Sequence, residues 1–350
     1  MIRRIKQSIL PLTLVAALFA GGCSDLVEPE GLDVVYPSFE EANPELYAQY
    51  MQTLREYKAG PHKVVFLTLE NPADGAIPTR RNEHVTMMPD SVDFISLNNP
   101  AVLHPMTVEE IEKVHEKGTR TIYNIDFAVL EAEWALKLKS NPDLTEEEAL
   151  AFIAARTEEM LGYCDRWGFD GITFSYAGRT LESMQEADLA IYTARQDAFL
   201  NPIRTWRTAH PSHVMTFRGN AVYLLEKNRT ILDDCDYLIV PSNAVKTYDD
   251  LSYTVLTAIS AAGVPTDRVV VTAQTTRPGD DKHMFGYWSM TDASGDQMRA
   301  IWGCADWMVR PSDTFVRAGL MIEDAQYDYY NLTFVYPAIR EAISMMNPSL

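Results

Sequence analysis

Short runs of β-branched and aromatic residues recur along the chain, and between them lie longer stretches whose apolar positions fall three and four apart. The first pattern suits strands buried on both faces and the second suits helices with one apolar stripe; their alternation marks parallel βα units. Strands are predicted over Lys63–Leu69, Val92–Leu97, Arg120–Ile125, Gly171–Tyr176, His213–Phe217, Tyr237–Val240, Arg268–Ala273 and Gly319–Ile322. Among the helices, Thr107–Lys117 sets Val108, Ile111 and Val114 on one face, and Thr145–Tyr163 opens with Thr145 three residues before Glu148, the spacing of a capping box. A helix over Pro44–Lys58 is expected to cover the bottom of the structure and one over Tyr330–Met346 to close it. Eight strands alternating with helices, with little chain left over, favour a closed (β/α)8 TIM barrel above an open doubly wound sheet, as a single α/β domain over 44–350. No GxGxxG or GxxxxGKS/T follows a strand, which removes the usual mark of a nucleotide site.

The first 22 residues break the alternation. A basic start (Arg3, Arg4, Lys6), an apolar run from Ile9 to Phe19 and the small residues Ala20, Gly21 and Gly22 make a cleavable export signal. The run is well short of the roughly 20 residues that a bilayer-spanning helix needs. Ala20-Gly21-Gly22-Cys23 resembles the bacterial lipobox, which implies lipidation at Cys23, membrane attachment through lipid alone and a place on the outer membrane at the cell surface. Residues 23–43, opening with the acidic tract 24–30, then read as a solvated tether.

Charge and sulfur narrow the partners. The formal charge is −19, and removing the signal takes away three basic residues and no acidic ones, leaving −22. A chain that acidic suits neutral or cationic ligands and excludes nucleic acid as a partner. Cys164, Cys235 and Cys304 lie about 70 residues apart without CxxC or Cys/His spacing, so they are read as buried thiols. The histidines show no HExxH, and no GxSxG occurs, so the sequence implies no metal, no other cofactor and no serine nucleophile.

In a barrel the reacting groups sit at the carboxyl ends of strands, and only alternate strand residues face inward. The informative stretch is the fourth strand, Trp167-Gly168-Phe169-Asp170-Gly171-Ile172-Thr173-Phe174-Ser175-Tyr176-Ala177. It resembles the DGxDxDxE signature of glycoside hydrolase family 18, with its aromatic-Gly-Phe approach, and Asp170-Gly171 match the first two positions. In that family the terminal Glu is the general acid, and the Asp two residues before it orients the substrate's acetamido group, which is itself the nucleophile. The resemblance sets Thr173, Ser175 and Ala177 at the three inward acidic positions. A hydroxyl is far too weak an acid to deliver a proton near neutrality, and a methyl group has none to give. What the resemblance implies is therefore a barrel of this family with a degenerate motif at Asp170, Thr173, Ser175 and Ala177 and no catalytic residues. The layout is similar to lipoproteins of Bacteroidetes glycan-utilisation systems related to endo-β-N-acetylglucosaminidases.

The function so implied is capture of an N-acetylglucosamine-containing glycan, of N-glycan or chitooligosaccharide type, for neighbouring glycan-uptake proteins. Sugars are held by aromatic faces and by paired amide or carboxylate groups. Strand ends supply Tyr176, Arg218, Asn220, Asn243, Gln274, Glu323, Asp324, Gln326 and Tyr327. The loop Thr276–Ser289 adds Tyr287 and Trp288 as the preferred stacking platform, with a core role for Trp288 as the competing reading. Trp302 and Trp307, beside Ile301 and Met308, read as core or helix contacts. Two other functions stay open. Glu70, Asp126, Glu323 and Asp324 lie at predicted strand ends, and two of them about 5 to 10 Å apart would suit an active endo-acting hydrolase. A mouth plugged by its own loops would instead mark a non-catalytic scaffold in an outer-membrane complex.

Overall fold

In chain order the long strands are β1 (Val64–Leu69), β2 (Phe94–Leu97), β3 (Arg120–Asp126), β4 (Gly171–Tyr176), β5 (Val214–Gly219), β6 (Tyr237–Val240) and β7 (Val269–Gln274); a short pair, β8 (Tyr287–Thr291) and β9 (Gln297–Arg299), precedes β10 (Arg317–Glu323). The computed structural model describes residues 38–182, 184–277, 279–280, 282, 284–330 and 334–348. The export signal, Cys23 and most of the tether fall outside the described residues. All the strands but β8 and β9 run parallel and close into a barrel in the order β1-β10-β7-β6-β5-β4-β3-β2, the eight-strand ring that the alternation predicts.

Helices α3 (Pro105–Glu116), α4 (Phe127–Ser140), α5 (Glu146–Leu161), α6 (Tyr163–Trp167), α7 (Glu186–Ala209), α8 (Tyr248–Ala258), α9 (Ala300–Val309) and α10 (Pro337–Met346) occupy most of the connections. Two connections lack an α-helix: β1 reaches β2 through single turns at Arg81–Glu83 and Val85–Met87, and β5 reaches β6 through the 3-10 segment Glu226–Asp234. Thr145 and Glu148 form the expected capping box at α5. Helix α3 starts two residues earlier than predicted because His104 caps it and Pro105 takes the first helical position. Helix α10 starts at Pro337, not near Tyr330, since Tyr336 adopts a left-handed conformation at its N-cap.

The chain divides into an N-terminal unit ending at Ala48 and a second unit, Gln49–Leu350. In the first, α1 (Phe39–Ala42) is a helical turn closed by a Ser38/Glu41 capping box, so the end of the expected tether is helical. Helix α2 (Pro44–Ala59) begins there. From Gln49 onward it lies on the barrel's bottom as predicted: Met51 and Leu54 are buried, Arg55 Nη1 donates to the Glu116 carbonyl at 2.8 Å, and Lys58 Nζ to the Lys117 carbonyl at 3.1 Å.

Two apolar layers hold the barrel. The larger lies between strands and helices; the smaller fills the interior with residues such as Val64, Phe66, Phe94, Ile122, Ile239 and Val270. At the base, Phe66 and Phe94 stack at 4.2 Å between ring centroids, and Tyr237 meets both edge-on. Those rings plug the bottom, which leaves the carboxyl end of the strands as the face where a barrel carries its site.

A repeated device fixes the base. Asp93, Asp170 and Asp236 each stand just before an even-numbered strand. Each donates its backbone N–H to a carbonyl in the preceding strand, Val65, Thr121 and Met215 respectively. Each side chain then accepts the N–H of that same residue, at 2.8, 2.7 and 2.9 Å. Histidines support two of them, His62 on Asp93 at 2.8 Å and His115 on Asp170 at 2.7 Å. The three cysteines of the barrel are buried and unbridged, and burial pushes the Cys164 thiol up to about 12.

Candidate functional site

The inward positions of β4 are Thr173 and Ser175, with Ala177 next in phase at the mouth. Thr173 is fully buried, and its Oγ1 lies 2.7 Å from Thr216 Oγ1 of β5. Ser175 Oγ donates to Asn124 Oδ1 of β3 at 2.7 Å. Ala177 is exposed. Asp170 does not join them. It sits at the opposite end of β4, where its carboxylate holds β3 and His115, so its place in the sequence pattern marks a structural contact.

The other half of the mouth is an assembled polar array. Arg218, inward at the end of β5, pairs with Glu323 of β10 at 2.7 Å. Asn243, after β6, donates its amide to the second oxygen of Glu323. Gln274, ending β7, donates to one carboxylate oxygen of Asp324, and Gln326 donates to the other at 3.2 Å. The backbone of Asp324 is held too, its N–H donating to Thr68 Oγ1 at 3.0 Å and its carbonyl accepting from Thr275. Asp324 takes up a left-handed φ of 58°, a conformation that a short polar side chain tolerates better than most. Six of the predicted residues thus meet in two adjacent clusters, Arg218–Glu323–Asn243 and Gln274–Asp324–Gln326, because β5, β6, β7 and β10 are neighbours in the ring.

The amides in this network have a fixed sense. An ionised carboxylate accepts only, so Asn243 and Gln326 must turn their NH2 groups toward Glu323 and Asp324 and leave their oxygens facing elsewhere. Both oxygens, Asn243 Oδ1 and Gln326 Oε1, are buried and meet no hydrogen-bond partner among the described residues. A buried acceptor left so costs about 1 to 3 kcal/mol until a donor meets it.

Other predicted residues take different parts. Tyr176 is 1 % exposed and points outward into the layer between strands and helices, packed on Phe127 and Phe199, so it offers no sugar-stacking face at the mouth. Trp288 is fully buried, edge-on to Tyr248, with Gly303 beneath it: a Cβ there would lie 2.5 Å from the indole Cε3. Its stacking role is thereby corrected to a core role. The segment around it is not a free loop, since β8 pairs antiparallel with β9. Tyr287 is half-buried with the Arg299 guanidinium 5.8 Å from its ring, and Phe285 is 39 % exposed. Asn220 spends its side chain capping a turn at Val222, and Tyr327 is half-buried. Trp307 is core, donating to Ser252, and Trp302 donates to the Ala338 carbonyl.

The carboxylates considered for hydrolysis are each engaged. Glu70 accepts from Asn98 at 2.7 Å, Asp126 caps α4 through Ala128 N at 2.9 Å, and Glu323 and Asp324 belong to the array above. Sequence reasoning missed Asn124, which holds Ser175. Its signal was a polar residue at an inward position of β3, in phase with Ile122.

Among the described residues no helix is long and apolar enough to cross a membrane. None of the curated proteins compared with the chain matches it. In solved structures the chain is similar to a selenomethionine BT1044 carrying a Glu-to-Gln substitution, at 15 % identity and a TM-score of 0.62 over 90 % of this chain and 98 % of that one. It is also similar to the endo-β-N-acetylglucosaminidase of Cordyceps militaris in apo form, at 14 % identity and a TM-score of 0.55 over 85 % and 95 % of the two chains. A mutant of that enzyme, in complex with fucosyl-N-acetylglucosamine-Asn, aligns with the same scores. These likenesses carry the fold. The family profile described as glycoside hydrolase family 18, BT1044-like, matches residues 27–345, and the chain belongs to that family.

Proposed function

We propose that the protein is a cell-surface lipoprotein that binds N-acetylglucosamine-containing glycans in the barrel mouth without cleaving them. The observation that carries this reading is the division of the mouth into two unlike halves. On β4, the positions that correspond to the family's acidic triplet hold Thr173, Ser175 and Ala177, two of them closed off by hydrogen bonds to Thr216 and Asn124. With no carboxyl group there, no residue of β4 can protonate a leaving oxygen or orient an acetamido group by charge. Opposite it, Arg218, Asn243, Gln274, Glu323, Asp324 and Gln326 set amide, guanidinium and carboxylate groups side by side, the kind of polar groups that hold sugar hydroxyls. The relatives named as endo-β-N-acetylglucosaminidases support the substrate class. Lipidation at Cys23 and delivery to neighbouring uptake proteins complete the proposal.

The test is to incubate the purified protein with N-glycans and chitooligosaccharides, following retention on affinity gels and product release by chromatography together. Retention without products is expected. Products that vanish with Glu323→Gln would overturn the reading in favour of a relocated active site, and neither retention nor products would favour a scaffold.

A further inference from the structure

Outside the wall formed by β3 and β4 lies a pocket of about 300 Å³ whose rim reaches Ala177. Its floor is aromatic: Phe127, Tyr176 and Tyr192 are all buried, with ring centroids 5.0 and 6.1 Å apart along the row. That floor is held in place from behind. Tyr192 donates its hydroxyl to the Tyr223 carbonyl at 2.8 Å, and Gln196 donates to the same carbonyl at 3.3 Å.

The roof is built by a turn. At Gly178 the chain leaving β4 adopts a φ of 61°, and a Cβ there would lie 2.3 Å from Tyr223 Cβ, so only glycine fits. The turn sets the Arg179 guanidinium 5.9 Å from the centroid of the Tyr192 ring. Arg179 makes no ion pair among the described residues, whereas Arg195 across the pocket is committed to Glu146 through two bonds of 2.7 Å, with Glu131 at 3.4 Å.

An apolar floor between a guanidinium donor and a carboxylate acceptor matches a pyranose ring, which has a C–H face and a rim of hydroxyls. Arg179 disfavours a cationic sugar, and Glu131 beside the paired Arg195 sets charges of both signs on the lining, which suits a neutral ring with hydroxyls on its rim. The volume is at the small end for ligand pockets, enough for a single unit. Phe127 and Tyr176 face away from the barrel axis, so a ring seated here is displaced sideways from anything held in the mouth.

We propose that this pocket is a second sugar subsite, taking one neutral hexose-type ring on a side branch of a glycan whose core lies in the barrel mouth. This rests on the binding function proposed above. Titration calorimetry of the purified protein with linear chitotetraose and with a neutral branched N-glycan tests it. The branched glycan should bind at least about 5-fold more tightly, because a second contact is added within one molecule. Ala128→Trp, which fills the pocket from an exposed rim position, should abolish that preference, and Arg179→Ala should reduce it, with the linear affinity unchanged in both. A preference that survives Ala128→Trp in a protein of unaltered melting profile, or equal binding of the two glycans by the unaltered protein, overturns the subsite alone. Binding of neither glycan overturns the mouth reading and the subsite with it, and tighter binding of a sialylated branch overturns the assignment to neutral rings.

Discussion

The two ends of the barrel use the same residue types to opposite purpose. At the base, Asp93, Asp170 and Asp236 accept from backbone N–H groups, whose positions the strands already fix, and the interior beside them is sealed by Phe66, Phe94 and Tyr237. At the mouth, Glu323 and Asp324 accept from the side chains of Arg218, Asn243, Gln274 and Gln326. A carboxylate bound to backbone is part of the frame. One bound to side chains is part of a surface whose chemistry those side chains set, which is why a signature Asp at the base says little about chemistry at the mouth.

The largest effect expected from this contrast is at the base. Asp93→Ala strips the acceptor from Val65 N–H and from His62 in a site only 3 % exposed, and should cost about 3 to 5 kcal/mol in urea unfolding, as loss of one partner of a buried pair does. Glycan retention by the fraction still folded should not change; if it falls while the melt is normal, the base is not merely frame. Glu323→Gln should show the reverse pattern, a stability change within about 1 kcal/mol for a partly exposed pair and a clear loss of retention. A large drop in unfolding free energy would move Glu323 from the binding surface to the frame.

The smallest effect is a pH dependence. The Asp93 hydrogen bond holds the His62 imidazole above its ordinary 6.5, with the Gly60 carbonyl assisting and burial and Lys58 opposing. A group whose folded value is raised contributes stability that is complete below 6.5 and fades as pH rises through the folded value. The stability difference between the unaltered protein and His62→Gln should accordingly be greatest on the acid side and shrink upward from neutrality. Growth of the difference with pH would show the ring to be bound neutral.

The barrel was legible because its strands are buried on both faces and read as continuous apolar runs: β4 and β6 fall at their predicted limits, and the other six differ by one or two residues at one or both ends. The hairpin β8–β9 was not, since each of its strands is short and half exposed, and only the turn around Ser294-Gly295 announced it. Trp288 belongs to that omission: its burial depends on Gly303, fifteen residues further on. In the site, period two found the inward positions Thr173 and Ser175, and Glu323 was found as a residue leaving its strand. Which amide meets which carboxylate could not be read, because Arg218 and Glu323 stand 105 residues apart and are joined only by closure of the ring.

The hydroxyl pair Thr173–Thr216 also bears on which acids the inner wall of β4 can accept. Ala177 is exposed, so a glutamate there can appear in one step at little expense. An aspartate at 173 cannot: it would place a carboxylate where water does not reach and against a threonine shaped for another threonine, a penalty of several kcal/mol unless position 216 changes too. A barrel with this pair in its wall can take an acid at 177 freely, yet needs two coordinated changes to take one at 173.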